Sequence, residues 1–225
     1  MARLRSGTGG DVVVAIDGPS GVGKSTVSRA VAAALGLPYL DTGAYYRMAT
    51  LVTLRAGGDP ADPEAVLTAL KNVEVDFVGG RLLLDGVDVS ADLRSPEVTA
   101  SVSAVAAHQK VRVAVVELQR AWVERHGGDA VVEGRDIGTV VFPHAPVKVF
   151  LVADPEVRAR RRAGDPEAAG HTIDSIREQI ARRDHLDSSR ETSPLRPAAD
   201  AVTIDTSQLS IAQVVARVLD LVGTL

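Results

Sequence analysis

The chain has 225 residues, with 25 basic and 29 acidic side chains, a formal net charge of −4 and no cysteine. That balance excludes a protein that coats nucleic acid by positive charge alone. The missing cysteine excludes disulfides and thiolate metal sites and fits a reducing cytoplasm. Hydrophobic residues make up 45% of the chain, an ordinary globular share, and no apolar run approaches membrane-spanning length. Residues 1–10, MARLRSGTGG, lack the apolar centre of a signal peptide and read as a flexible leader. Among the basic residues only Lys24, Lys71, Lys110 and Lys148 are lysines. The rest are arginines, whose planar, permanently charged fork suits phosphate.

Val12–Ile16 form a continuous apolar run, as expected of a parallel strand buried on both faces. A glycine-rich turn, Gly18 to Gly23, follows. Val27, Ala30, Val31, Ala34 and Leu35 then recur at helical spacing, with Gly36 placed to end the helix and Pro38 to prevent its resumption. Gly18, Gly23, Lys24 and Ser25 satisfy G-x-x-x-x-G-K-[ST], the P-loop pattern. Such a loop converges backbone N–H groups at a helix N-terminus, which is a ready site for a dense anion. The pattern therefore assigns a nucleoside triphosphate, which the family resemblance below makes ATP, to Gly18, Pro19, Ser20, Gly21, Val22, Gly23, Lys24, Ser25 and Thr26. Lys24 is expected on the β and γ phosphates and the Ser25 hydroxyl on Mg2+. Asp17, just before the loop, either orients it or caps a turn.

Tyr39 and Leu40 predict a short second strand that delivers Asp41, Thr42 and Gly43 to a carboxyl edge. A helix begins near Ala44, with Tyr45, Met48, Leu51 and Val52 on one face and Gly57–Gly58 as its stop. Arg47 falls in its first turn, where a cation opposes the helix dipole; it is either a solvated arginine or waits for a ligand phosphate. Asp62–Pro63 starts another helix. Alternation at Val73, Val75 and Phe77, a Gly79–Gly80 turn, a return through Arg81 to Asp85 and an Asp85–Gly86 turn into Val87–Val89 predict a small antiparallel unit. It reads as a mobile substrate-covering subdomain, with a rigid ornament as the alternative.

Ser95–Pro96–Glu97 starts a helix buried through Val98, Val102 and Val105. The next carries Val111, Val115, Leu118 and Trp122 and ends at Gly127–Gly128; the tryptophan is read as core. Ala130–Val132 predict a third strand running into Glu133, Gly134, Arg135 and Asp136. Val147–Val152 predict a fourth, and Asp154–Pro155 cap the helix behind it. The stretch from Arg158 to Arg190 is rich in arginine and nearly as rich in acid, and its interior, residues 163–170, reads as a loop or lid. Thr172 caps a helix that uses Ile173, Ile176 and Ile180. Ala201–Ile204 predict the fifth strand, and Ser210 and Gln213 form a capping box for a last helix read as packing alone.

Strands alternating with helices predict an α/β protein of three layers, the P-loop NTPase fold: a five-stranded parallel sheet with helices on both faces, an antiparallel insertion and a lid. One domain spans 1–225, with its core in 11–58, 93–153 and 190–225, the insertion in 59–92 and the lid in 154–171. Ligands of such sheets lie beyond the carboxyl ends of the strands, where Lys24, Thr42, Arg135 and Asp136 fall. A nucleotide-driven switch is the competing class, and a small-molecule kinase with another acceptor a further one. The guanine-reading N-K-x-D and a D-x-x-G after a strand are both missing, while arginines on separate segments suit two polyanions brought together.

The segments AIDGPSGVGKST, LDTGAYYR, EGRDIGTVVFPHAPVKVFL, RARRR and RRDHLDSSRETSPLRPAADAVTIDT resemble the bacterial cytidylate kinase family from Val12 nearly to the end. The resemblance implies transfer of a phosphoryl group from ATP-Mg2+ to CMP or dCMP, in the cytoplasm, by a monomer with no nucleic acid or membrane partner. It makes 59–92 the monophosphate-binding region. It matches Arg47, Arg135 and Arg190 to arginines that grip the acceptor phosphate, and Ser103, Arg112 and Asp136 to residues that read the cytosine edge. Thr42 joins this substrate set, Arg183 and Asp187 match the pair that meets the ribose, and Arg158 and Arg162 match arginines that close on the donor phosphates. Lys24, Arg135, Arg158 and Arg162 are thereby the expected catalytic cations, and Ser25 the expected metal ligand. His144 departs from the pattern, standing where many relatives carry an acid.

Overall fold

The computed structural model describes residues 12–71, 73–165, 168 and 170–224. The expected leader and part of the expected lid loop lie outside these. Five strands, β1 (Val13–Asp17), β2 (Tyr39–Asp41), β6 (Ala130–Gly134), β7 (Val147–Val152) and β8 (Val202–Asp205), form an all-parallel sheet in the order β2-β6-β1-β7-β8. The central β1 divides its side chains between two cores. Val14 and Ile16 pack with α1 (Lys24–Leu35) and α8 (Ile211–Val222), while Val13 and Ala15 face α2 (Thr42–Arg55), α4 (Pro96–Ala107) and α5 (Gln109–Arg125). A strand with apolar side chains on both sides must be covered on both, which is why helices stand on each face. Among the described residues no helix is long and apolar enough to cross a membrane.

Several boundaries differ from the sequence reading. β1 and β8 each sit one residue later than expected, and β6 runs on to Gly134, so that Glu133 belongs to a strand. Helix α2 starts at Thr42 rather than Ala44, because the Asp41 carboxylate accepts from Gly43 N and caps it. Arg47 therefore lies in its second turn. On α1 the buried face is Val27, Ser28, Val31 and Ala32, with Ala34 exposed. Ile173 opens α7 (Ile173–Ser188) at 45% exposure, so Ile176 and Ile180 carry that helix's packing. Residues 137–141, unassigned in the sequence reading, form a single π-helical turn.

The second sheet is antiparallel, β3 (Val75–Val78), β4 (Arg81–Leu84) and β5 (Val87–Asp88), and follows α3 (Pro63–Leu70), capped by Asp62 as its sequence predicts. It is joined to the main body by Phe77, whose ring meets Tyr39 edge-on at 5.9 Å and Trp122 at 6.4 Å. Trp122 is buried, stacks on His126 and donates Nε1–H to Asp76 at 3.0 Å. One aromatic cluster thus ties β3 to β2 and α5. The sheet also sends Val75, Leu82, Leu84 and Val89 into the same core, and cutting its aromatic anchor loosens it locally. Phe77→Ala is expected to lose about 3–5 kcal/mol by denaturant unfolding. Amide exchange in β3 and β4 should rise far more than in β1 and β7; uniform acceleration would disprove the local anchor.

Candidate active site

The carboxyl ends of β1, β2 and β6 open into a cleft of about 590 Å3. Its floor is the turn from Gly18 to the start of α1. Gly18 has φ +148°, and a Cβ there would stand 2.3 Å from Leu151 O on β7, so only glycine lets the loop lie down on the sheet. Gly21 has φ +80°, and its Cβ would reach within 2.9 Å of Arg158 O. Gly23 precedes α1 and no side chain caps that helix, which leaves its first N–H groups free for an anion. Lys24 is held back over the loop by donating to Pro19 O at 2.6 Å.

A cluster of cations faces the loop. Arg135, just beyond β6, donates from Nε to Asp187 at 2.9 Å and from Nη1 to Gly18 O at 2.9 Å. Arg190 pairs with the other oxygen of the same Asp187, and Arg183 lies on the same helix, α7, as that aspartate. Arg47 reaches from α2 to Leu93 O and Thr99 Oγ1. Deeper, buried Arg112 on α5 donates to Asp136 at 2.6 Å and to Ala106 O at 3.0 Å, and lies 5.2 Å from the centre of the Tyr46 ring. Arg112 Nε has no hydrogen-bond partner among the described residues. An unsatisfied buried donor beside a carboxylate is a site made for a polar planar edge.

Charge crowding shows in the titrating groups. Burial pushes the Lys24 ammonium well below its usual range, and Arg135 and Arg183 add to the effect. Burial, then Arg135, brings Arg183 down to about 10. Burial disfavours ionised Asp187, but Arg135, Arg190 and Arg183 together outweigh it and hold its carboxyl below the usual range. Glu133, the penultimate residue of β6, is 2% exposed. It accepts from the Tyr39 hydroxyl, while its Oε2 has no hydrogen-bond partner among the described residues. Burial first, then Asp41, pushes Glu133 up to about 7, against the pull of Lys24, Tyr39 and Ser25. Among the described residues no group of three or more His, Asp or Glu side chains could hold a metal by itself. A buried carboxylate oxygen without a partner beside the Ser25 hydroxyl does fit a hydrated Mg2+ that arrives with phosphates.

All the residues singled out from the sequence line this cleft except Gly18, Pro19 and Arg158: Ser20 to Thr26, Thr42, Arg47, Ser103, Arg112, Arg135, Asp136, Arg162, Arg183, Asp187 and Arg190. Thr42 is buried and donates to Glu133 O at 2.7 Å. Arg158 departs from its expected place on the donor phosphates. From α6 (Pro155–Ala163) it turns under the loop, pairing with Asp184 and donating to Ser20 O at 3.2 Å. Its neighbour Arg161 lines the cleft instead and donates to Thr206 Oγ1 at 2.9 Å and to Val22 O at 3.3 Å. Helix α8 is more than packing: Ile211, 54% exposed, and Val214 reach the cleft wall. Glu133 was missed as a site residue, although a charged residue ending an apolar strand beside the P-loop strand was a usable signal.

The family model for cytidylate kinase matches residues 14–224. A cytidylate kinase of Mycobacterium leprae (strain Br4923) is 54% identical over 214 residues, covering 94% of this chain and 96% of the relative. One of Mycobacterium avium (strain 104) is 55% identical over 218 residues, covering 94% and 95%. One of Corynebacterium efficiens is 50% identical over 218 residues, covering 94% of each. Among solved structures, TT1252 from Thermus thermophilus superposes with a TM-score of 0.51 at 22% identity, covering 96% of this chain and 97% of that one. A protein from Eubacterium ventriosum gives 0.55 at 12% identity, covering 96% and 99%. These two likenesses concern the fold.

Glu133 carries a consequence for stability. Its carboxyl titrates near 7 in the folded chain against an ordinary 4.5, so the fold favours the neutral form. The contribution is present below the unfolded value and is lost as pH rises through the folded one. Glu133→Gln removes that loss, by on the order of 2 kcal/mol at pH 8. The ligand-free variant should melt above the parent at pH 8 and show no advantage at pH 4.5. Parallel Tm curves across this range would refute the assignment.

Proposed function

The chain belongs to the cytidylate kinase family and phosphorylates CMP, and from that premise we propose that MgATP is the donor and CMP and dCMP the acceptors. The observation that carries this reading is the meeting, in one cleft, of a P-loop with an arginine cluster and a buried Arg112–Asp136 pair. The donor triphosphate nests on the amides of residues 18–26, with Lys24 against its β and γ phosphates. Mg2+ would be held by Ser25, with Glu133 orienting its water; it supplies charge neutralisation to the phosphates. Arg47, Arg135 and Arg190 grip the acceptor phosphate, and Arg183 and Asp187 meet the ribose. Ser103, Arg112 and Asp136 read the base.

The chemistry asks for positioning and charge more than for proton transfer. An ionised acceptor phosphate is already a nucleophile, so no general base is required. The developing charge is spread over the transferring phosphoryl group. Lys24, Arg135 and Arg162 come to it from separate elements, α1, the end of β6 and α6. Arg158 takes a different part, holding the floor of the loop through Ser20 O. Cytosine offers an amine that a carboxylate can accept and a ring nitrogen and carbonyl to which Arg112 and Ser103 can donate. Uracil reverses that order, which disfavours UMP. Closure of the 59–92 insertion and the 154–171 segment keeps water from the donor. The same reading takes the enzyme as a cytoplasmic monomer that acts on free nucleotides.

Lys24→Ala is expected to lower kcat by about a hundredfold or more in a coupled ADP-release assay. Near-normal turnover would remove Lys24 from the mechanism. Asp136→Ala should lose far more kcat/KM with CMP than with UMP; equal losses would remove it from base reading. Run with ATP against a panel of nucleoside monophosphates, the parent should prefer CMP and dCMP. Preference for AMP or GMP would overturn the acceptor assignment.

A further inference from the structure

We infer that Asp17 is a positioning residue for the acceptor base: by capping the turn that follows Asp136, it leaves the Asp136 carboxylate free to face the base site. Asp17 is the last residue of β1 and is 4% exposed. Its strand pairs with β6 so that Asp17 stands opposite Gly134, two residues before Asp136. The chain then enters the π-helical turn, residues 137–141, with Asp136 as its N-cap residue. An aspartate in that position ordinarily folds its own carboxylate back onto the first free N–H groups of the helix. Here it does not: Asp136 makes no side-chain cap, and its carboxylate reaches Arg112 at 2.6 Å.

The reason is that the free N–H groups are already taken. Ile137 N donates to Asp17 Oδ1 and Gly138 N to Asp17 Oδ2, each at 2.8 Å. The far end of the turn is closed as well. Arg120 on α5 donates from Nε to Val141 O and from Nη2 to Val140 O, each at 2.8 Å. An acid at the amino end and a base at the carboxyl end complement the dipole of the short helix and hold it from both sides. Asp17 also borders Gly18, so the strand end that launches the donor loop also fixes the turn behind the base reader. Without Asp17, the two N–H groups are left unpaired just after Asp136, the N-cap residue whose carboxylate ordinarily takes them.

This inference rests on Asp136 as base reader, and the test separates the two. Asp17→Asn, Asp17→Ala, Asp136→Ala and the Asp17→Ala/Asp136→Ala double variant are compared with the parent for CMP, UMP and ATP kinetics, with urea unfolding as the folding control. Asp17→Asn keeps the shape while placing an amide N–H against a backbone N–H, and it carries the test if Asp17→Ala does not fold. The expected result is a KM for CMP raised about tenfold or more, a narrowed CMP to UMP ratio, and kcat and KM for ATP within about threefold of the parent. In the Asp136→Ala background the Asp17 change should add little to KM for CMP, since the carboxylate it steers is gone. If Asp136→Ala spares CMP preference, the base-reader assignment fails. If Asp136→Ala removes that preference while the Asp17 variants keep it, raise KM for ATP equally, or add fully to Asp136→Ala, the positioning role fails.

Discussion

A cleft that must bring two polyanions together has to gather cations before either arrives. In this protein that requirement is met by Asp187, one buried carboxylate set between Arg135 and Arg190. Without it, Arg135, Arg183 and Arg190 would face one another across a partly desolvated wall. Burial first, and the neighbouring arginines after it, depress the titration of Arg183 and Lys24. Such pairs add little net stability, because desolvation offsets much of the Coulomb gain. Their worth is geometric: the guanidinium groups are held at fixed places before any ligand arrives.

The same logic governs the acidic side. Glu133 sits buried at the end of β6 with one oxygen unpartnered, and Asp41 caps α2 close by. The cap stabilises α2, but the buried Glu133 is not the most stable choice for a ligand-free fold. A folded chain that keeps an under-satisfied carboxylate beside a crowded ammonium holds stability back at this edge. The carboxyl edge of a parallel sheet is where these groups can be collected, since β1, β2 and β6 all end there while their apolar bodies bury both faces.

Around this edge the other pieces are attached in different ways. The antiparallel sheet meets the body through the Phe77, Tyr39 and Trp122 rings and through Val75, Leu82, Leu84 and Val89, which join the shared core. Helix α6 meets the P-loop through Arg158 and Arg161 and their carbonyl partners. Polar tethers of this kind suit a segment that covers a ligand and then releases it.

Much of this was legible in order along the chain. Continuous apolar runs marked β1, β6 and β7, and Asp62, Asp154, Thr172 and Ser210 marked helix starts, because these signals are local: a cap acts within three residues and a buried strand needs no partner to be recognised. The P-loop was equally readable, since its glycines answer to backbone conformation and close approach. Residue identity also carried the family pattern, and with it most of the charged residues that line the cleft. What it did not carry was direction. That Arg158 turns beneath the loop while Arg161 faces the cleft depends on which side of α6 meets Ser20 and Val22, segments some 140 residues away. That Glu133 is buried near Lys24, and that Asp17 rather than Asp136 caps the π turn, follows from the β1–β6 register. Sequence spacing determines which groups share an element; only the pairing of distant strands decides which of their atoms meet, because that contact is paid for by long-range packing and not by any neighbour in the chain.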